Sequence, residues 1–194
     1  LDQVEALLGP DLVLWAMYCW YKPPQVGKAI PWHQDAAYWP IEPKINVTAW
    51  VALAPTRRSN GCLRLLPGTH RRDFAHTAID PVAANSWFDQ GVQGLDESGA
   101  IDLEMEPGQA VFFNEGTLHG STANHSPFPR LACSMRYTTP DVRISPDGWG
   151  ADNARIRTTL VRGVDRFQYN VGLRLAAPVS AALPCSTLRD RVAP

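Results

Sequence analysis

The sequence lacks the features that mark several large classes of protein. Its longest apolar run, Leu12 to Tyr21, is much shorter than the roughly 20 residues that a membrane-spanning helix needs. Eighteen basic and nineteen acidic residues are spread over 194 positions without a basic block, so binding to nucleic acid or to an anionic membrane has no support. The chain contains no phosphate-binding glycine loop, no Gly-x-Ser-x-Gly elbow and no internal repeat.

Paired cysteines are also missing, because the four cysteines are scattered and form no Cys-x-x-Cys motif. Cys19, Cys62 and Cys133 lie in strand-like runs, which predicts buried free thiols in a reducing cytoplasm. A Cys/His nucleophile pair is an alternative, although no cysteine lies in a turn or helix start that would lower its pKa. The acidic start shows no signal peptide and begins with Leu1 rather than Met, which leaves room for a preceding N-terminal segment.

Short strands bounded by Gly and Pro dominate the chain, with little helix, and this pattern predicts an all-β barrel or jelly roll. The predicted elements are a helix over 1–9 and strands over 12–21, 46–54, 62–66, 101–106, 109–114 and 131–138. The continuous apolar run 12–21 is typical of a strand covered on both faces. We expect a loop over 115–129, a long functional or mobile loop over 71–98, and one domain over 1–175 followed by a surface tail over 176–194.

Two potential metal ligands, His33 and Asp35, lie two residues apart inside an apolar, aromatic run. In an extended strand they point to the same side and can grip one ion. A histidine and a carboxylate supply two thirds of the 2-His-1-carboxylate set that holds non-haem ferrous iron. The pair alone is equally compatible with a simple hydrogen bond between the two side chains.

The third ligand must come from the four remaining histidines. His70 is followed by two arginines, which disfavour a cation, and His76 and His125 lie in polar stretches where solvated side chains are expected. His119 follows the predicted strand 109–114 and precedes a glycine, where a metal complex has room to approach. The alternative is a histidine that only bonds a carbonyl.

Arg130 offers an anchor for a co-substrate. An oxygenase that uses 2-oxoglutarate must hold the distal carboxylate, and a guanidinium does so with two parallel charge-assisted hydrogen bonds. Arg130 stands at the head of the strand 131–138, and Arg136 shares its face by parity and competes for this role. The alternative for Arg130 is a surface salt bridge. On the strand 46–54, the even positions Thr48 and Trp50 could line a polar, aromatic pocket.

Together these motifs resemble the phytanoyl-CoA dioxygenase family. The resemblance rests on the ordered run of Pro31-Trp32-His33-Gln34-Asp35, the stretch Asn60 to His70, Pro107-Gly108 with Phe112, then His119-Gly120-Ser121 and Arg130. It covers roughly residues 11–138. Members usually carry a longer N-terminal region, often with a cofactor-contacting residue, whereas only 32 residues precede His33.

The resemblance implies a double-stranded β-helix (a cupin-like jelly roll) with a few flanking helices, and an enzyme that uses Fe(II) and 2-oxoglutarate. It implies His33, Asp35 and His119 as iron ligands. The residues that it places beside 2-oxoglutarate are Arg130, Ser121 and, more weakly, Thr48 and Trp50. It also implies dioxygen and a small-molecule substrate as reaction partners.

The implied reaction is hydroxylation of an aliphatic C–H bond of a small organic metabolite, with release of succinate and CO2. Halogenases related to this family carry Ala or Gly where Asp35 stands, so hydroxylation is favoured over halogenation. Desaturation, epoxidation and ring closure at the same iron centre are alternatives, as are a non-catalytic barrel that binds a small molecule or metal and a cupin-type isomerase or sugar-binding enzyme. The substrate and the oligomeric state cannot be read from the sequence. Aromatic side chains could line the substrate pocket or simply pack in the core: Trp20, Trp32, Tyr38, Trp39, Trp87 and Phe88.

Overall fold

The protein is described from a computed structural model, which covers residues 1–145, 158–170 and 174–175. Within these residues it has one α-helix, three single-turn 3-10 helices and fourteen short strands. The helix α1 spans Asp2–Leu8, and the 3-10 helices span Asp35–Ala37, Arg58–Asn60 and Thr69–Arg71. The strands are β1 Leu12–Lys22, β2 Ile30–His33, β3 Ile41–Glu42, β4 Val47–Ala52, β5 Leu63–Leu65, β6 Thr77–Ala78, β7 Gln90–Gly91, β8 Ile101–Leu103, β9 Ala110–Asn114, β10 His119–Ser121, β11 Arg130–Thr138, β12 Arg143–Ile144, β13 Thr159–Arg162 and β14 Arg174–Leu175. The predicted all-β architecture is confirmed.

Two sheets face each other and enclose the interior. The larger sheet has the order β14-β13-β1-β11-β4-β9, and the smaller one has the order β2-β10-β5-β8. Because alternate side chains of a strand point to opposite faces, one parity of each central strand points inward. Trp50, Phe113 and Ala132 from the large sheet pack there against Leu63 and Met105 from the facing side. This jelly-roll arrangement leaves the other end of the interior to polar side chains.

The strand register sets which polar groups meet. Strand β11 lies between β1 and β4, and from Arg130 to Arg136 its even-numbered residues pair with even-numbered residues on the neighbouring strands. Arg136 therefore lies opposite Thr48, and Arg130 lies opposite Lys22. All of these side chains share the inward face, so the large sheet lines the interior with three basic side chains, Lys22, Arg130 and Arg136.

Several sequence-based predictions need correction. His119 lies on strand β10, not in a loop, because this three-residue segment pairs with β2 on one side and β5 on the other. Cys19 is exposed, whereas Cys62 and Cys133 are buried free thiols as predicted. The strand β1 is covered on both faces only in its first half, since Met17 and Tyr21 are 60% and 51% exposed.

Two further segments differ from the prediction, and a third lies outside the described residues. The stretch 71–98, predicted to be a loop without regular structure, contains the small hairpin β6–β7. Strand β13, which the weak pattern after Pro140 did not predict, pairs with β1 at the side of the large sheet. The predicted surface tail 176–194 and Cys185 lie outside the described residues. Among the described residues, no helix has the length and apolar character needed to cross a membrane.

Candidate metal centre

Strands β2 and β10 bring the two candidate histidines face to face. His33 is the last residue of β2, His119 is the first residue of β10, and the two are direct partners in the antiparallel register. Their ring centroids are 4.1 Å apart. Gln34 keeps an extended backbone and Asp35 then begins a 3-10 turn, so the Asp35 carboxylate returns to the same side as His33. All three side chains are buried.

The three side chains form a compact donor set. One ligand atom from each of His33, Asp35 and His119 lies within 4.8 Å of the other two. The Asp35 carboxylate lies 3.6 Å from Nε2 of His33 and 3.8 Å from Nε2 of His119, both beyond hydrogen-bonding distance. A direct His–Asp hydrogen bond, the simpler interpretation of the motif, therefore does not account for the cluster. Two imidazoles and one carboxylate match the facial set that holds non-haem Fe(II).

The backbone fixes both histidines in the form that binds a metal. Nδ1 of His33 lies 2.9 Å from the Pro31 carbonyl oxygen, and Nδ1 of His119 lies 2.9 Å from the Thr117 carbonyl oxygen. A carbonyl oxygen only accepts, so each Nδ1 carries the proton and donates it. The lone pair is then on Nε2, which points toward Asp35 in both cases. Such bonds to the second ring nitrogen orient metal-binding histidines.

The electrostatics favour the ligand state of each group. Burial opposes ionisation of Asp35, but the charges of Arg136, His119 and His33 outweigh it and lower the pKa of Asp35 to about 2. Burial and the neighbouring His33 lower the pKa of His119 to about 4. At neutral pH the site therefore presents a carboxylate and a neutral imidazole, which are the protonation states that bind a metal.

Arg130 lies in the same interior, at the end of β11 away from Asp35. It is 2% exposed, donates from Nε to the Gly61 carbonyl oxygen at 3.1 Å, and has its guanidinium carbon 5.7 Å from the centre of the Trp50 ring. Burial lowers its pKa to about 10, which still leaves it charged at neutral pH. Within the described residues no acidic side chain pairs with it, so the predicted alternative of a surface salt bridge is wrong.

The other predicted cofactor-binding residues line the same cavity. Ser121, Thr48 and Trp50 border it together with the three candidate ligands and Arg130. The Ser121 hydroxyl is buried and, in the part of the chain that the structure describes, has no hydrogen-bond partner. A buried hydroxyl without a partner is costly, and an incoming carboxylate oxygen would satisfy it. The free donors of Arg130 and this hydroxyl therefore fit a dicarboxylate such as 2-oxoglutarate.

The structure also adds residues that the sequence did not single out. Gln34 is buried and donates to the carbonyl oxygens of Arg72 and Gly116, which ties the ligand strand to the stretch 71–98. His76, predicted to be solvated, is half-buried and accepts a hydrogen bond from the Gln34 amide at 3.0 Å. His70 and His125 are exposed. Alternation within a strand could have pointed to Lys22, but the neighbours of Gln34 are too distant in sequence for any local pattern to show.

Comparison with known proteins agrees with this geometry. The family model described as phytanoyl-CoA dioxygenase (PhyH) matches residues 1–132. The peroxisomal phytanoyl-CoA dioxygenase of Homo sapiens is 35% identical over 148 residues, which cover 73% of this chain and 44% of the relative. The chain thus spans about half the length of the curated relatives that it matches.

Solved structures agree as well. The apo form of ThoJ, a non-heme monooxygenase, is similar with a TM-score of 0.72 and 27% identity, over 92% of this chain and 62% of that one. EvdO2 from Micromonospora carbonacea var. aurantiaca, in complex with 2-oxoglutarate, is similar with a TM-score of 0.57 and 27% identity, over 70% of this chain and 55% of that one. The predicted jelly-roll fold is confirmed by these neighbours, and the chain belongs to the phytanoyl-CoA dioxygenase family.

Proposed function

We propose that this chain is the catalytic domain of an Fe(II)- and 2-oxoglutarate-dependent dioxygenase that hydroxylates an aliphatic C–H bond of a small organic metabolite and releases succinate and CO2. The observation that carries the proposal is the buried cluster of His33, Asp35 and His119, with a buried arginine on the same interior surface, Arg130, that has no acidic partner among the described residues. A barrel that only bound a neutral small molecule would need neither the ligand set nor a buried cation.

In this proposal His33, Asp35 and His119 would hold the iron. Bound iron and 2-oxoglutarate supply the oxidative decarboxylation with dioxygen that yields succinate, CO2 and the oxidant for the C–H bond. The protein contributes orientation and exclusion of water. Phe88 packs against His33 with ring centroids 5.0 Å apart, and Phe113 packs against His119 at 4.8 Å, so apolar rings shield the two imidazoles.

Arg130 and Ser121 are proposed to hold the distal carboxylate of 2-oxoglutarate, with Thr48 and Trp50 beside it. Arg136 does not suit this role, because its Nη2 lies 3.6 Å from the Asp35 carboxylate and therefore beside the residues that would hold the iron. Arg130 and Arg136 are six residues apart on one strand, about 20 Å from Cα to Cα, so the two arginines serve opposite ends of the cavity. The distal carboxylate belongs at the end that is remote from the metal.

The carboxylate of Asp35 supports hydroxylation over halogenation, because it would serve as the ligand whose place a halide would need to take. Desaturation, epoxidation or ring closure would use the same residues. We further propose that residues 1–175 form one oxygenase domain and that it acts in the cytoplasm. The buried free thiols of Cys62 and Cys133 support a reducing compartment.

The test is succinate formation from 2-oxoglutarate by the purified protein with Fe(II) under air, since such enzymes turn over their co-substrate slowly without substrate. We expect succinate from the native protein and from His125→Ala, whose histidine is exposed and outside the site. We expect none from His119→Ala. No succinate from the native protein, together with unchanged Fe(II) affinity in His119→Ala, would overturn the proposal in favour of a non-catalytic barrel.

A further inference from the structure

Arg136 is a buried cation that the proposed reaction leaves without a function. It is 7% exposed and lies on the inward face of β11, opposite Thr48 of β4. Its guanidinium carbon lies over two aromatic rings, 4.2 Å from the centre of Trp39 and 4.8 Å from that of Tyr18. Desolvating a guanidinium in this way is costly unless an anion or hydrogen-bond acceptors compensate it.

The compensation within the described residues is incomplete. Nε of Arg136 is buried and has no hydrogen-bond partner there. The nearest carboxylate is Asp35, 3.6 Å from Nη2, which is longer than a hydrogen bond. Because Asp35 would be a metal ligand, its charge is shared with the ion and cannot fully neutralise Arg136. The guanidinium thus retains unpaired donors beside the metal centre.

Arg136 lines a second cavity, which lies beside the metal cavity and shares Asp35 and Arg136 with it. This substrate chamber has a volume of about 490 Å³, within the range of small-molecule sites. Its walls are mostly aromatic: Tyr18, Trp20, Tyr38, Trp39, Trp87 and Phe88. Phe88 also borders the metal cavity, so the chamber leads directly to the proposed ligands.

The charge pattern of the substrate chamber selects the sign of its occupant. Aromatic faces usually attract a cation, but here Arg136 already occupies the faces of Trp39 and Tyr18. The chamber's acidic groups are Asp35, which is the proposed ligand, and Asp89, which is exposed and therefore hydrated. An anion bound at Arg136 would therefore supply the negative charge that these two acidic groups do not provide.

We infer that the substrate carries a carboxylate that Arg136 holds beside the metal centre, while its apolar or aromatic body lies against the rings of the substrate chamber. This inference rests on the proposed function and deepens it by naming the substrate class. A fork of N–H donors matches a carboxylate with two parallel hydrogen bonds, and the rings on either side keep the fork in place. Arg136 is then a residue that determines specificity, while Arg130 serves the co-substrate.

The experiment compares three probes of one shape and different charge: 3-phenylpropanoate, 3-phenylpropanamide and 3-phenylpropylammonium. The protein is first loaded with Fe(II) and saturating 2-oxoglutarate without oxygen, and formation of the complex is verified by its visible charge-transfer absorption. Each probe is then titrated by calorimetry. If the loading step fails, the proposed function fails; if loading succeeds, the titrations test the substrate class alone.

We expect the carboxylate to bind at least about tenfold more tightly than the amide, because a hydrogen bond to a charged group is stronger than one to a neutral group. Arg136→Gln should remove this preference, Arg136→Lys should keep part of it, and Arg143→Gln, at an exposed arginine on β12, should leave it unchanged. The comparison in the native protein needs no variant and stands even if Arg136→Gln does not fold.

Several outcomes would overturn the inference. They are equal binding of carboxylate and amide, tightest binding of the ammonium probe, no binding of the carboxylate at millimolar concentration, or a preference that survives in Arg136→Gln. A large loss of 2-oxoglutarate affinity in Arg136→Gln with the probe preference intact would also overturn it, because Arg136 would then belong to the co-substrate.

Discussion

Arg130→Gln should separate binding of 2-oxoglutarate from binding of the metal. Arg130 makes one good hydrogen bond to the protein, from Nε to the Gly61 carbonyl, and a long one of 3.4 Å from Nη1 to the Trp20 carbonyl. A guanidinium has five N–H donors, so most of them are left for the cavity. Glutamine can keep the hydrogen bond to the Gly61 carbonyl but has neither the positive charge nor the pair of parallel N–H donors of a guanidinium.

The size of the effect follows from the burial of Arg130. Truncating one partner of a buried, hydrogen-bonded charge pair costs about 2–5 kcal/mol, and each 1.4 kcal/mol is a factor of ten in affinity, so the Kd for 2-oxoglutarate should rise about 30-fold to 4,000-fold. Arg130→Lys keeps the charge and should fall between native protein and Arg130→Gln. The thermal midpoint of the metal-free protein should change little, because Arg130 is a desolvated cation with no acidic partner among the described residues.

Calorimetric titration of 2-oxoglutarate into the Mn(II)-loaded protein without oxygen measures this Kd, and titration of Mn(II) alone measures the metal site. Arg136→Gln is the matched control on the same strand face. A Kd for 2-oxoglutarate within threefold of the native value in Arg130→Gln, or a larger loss in Arg136→Gln, would refute the assignment of Arg130 as the distal anchor. A parallel loss of Mn(II) affinity would indicate general disruption of the interior instead.

Further predictions concern the metal, the buried lysine and one glycine. His119→Ala should lower the affinity for Mn(II), measured by calorimetry, at least about 100-fold. Loss of a group that only hydrogen-bonds to a ligand costs about tenfold or more, so a change of less than about tenfold would contradict the role of His119 as a ligand. Burial and the charge of Arg130 lower the pKa of Lys22 from 10.5 to about 6, so between these pH values the unfolded chain binds more protons and the stability of the native protein rises with pH. In urea unfolding at pH 7, Lys22→Met should therefore be more stable than the native protein, and the difference in unfolding free energy should shrink toward pH 10. A difference that stays constant with pH would argue against the shifted pKa. Gly61 has φ +76°, and an added Cβ would overlap the Thr122 carbonyl oxygen, so Gly61→Ala should lower the unfolding free energy by about 1–3 kcal/mol. It should also weaken 2-oxoglutarate binding, because the Gly61 carbonyl oxygen accepts a hydrogen bond from Arg130. Unchanged 2-oxoglutarate binding would show that this carbonyl does not position the guanidinium.

The sequence predicted those parts of the site that depend on local geometry. Alternation placed Arg130 with Arg136, because side chains six residues apart on a strand share a face. The pairing of His33 with Asp35 was also predicted, but its reason was wrong, because Asp35 lies past the end of β2 and reaches the same side through a 3-10 turn. Alternation could not predict that Lys22 lies opposite Arg130, since strand register depends on contacts across 108 residues. Lys22 instead looked like the end of a strand before two prolines.

The errors in the fold have equally physical causes. Strand β10 has only three residues, too few to show a period, and its structure is fixed by the strands on both sides of it. The apolar run of β1 suggested burial on both faces, but apolar side chains are also common on protein surfaces, and Met17 and Tyr21 are among them. An alternating pattern predicts a face; it does not say whether another layer covers that face.

The backbone partners of the two histidines have a consequence for how the site can change over time. Each imidazole is oriented by the carbonyl two residues before it, Pro31 for His33 and Thr117 for His119. In many metalloproteins that task falls to a carboxylate side chain, which a single codon change can delete. A peptide carbonyl is present whatever amino acid occupies the position. Substitutions at positions 31 and 117 that preserve the backbone path should therefore leave the orientation of both imidazoles unchanged. The metal-binding half of the cavity can then keep its geometry through such substitutions while the residues of the aromatic substrate chamber change.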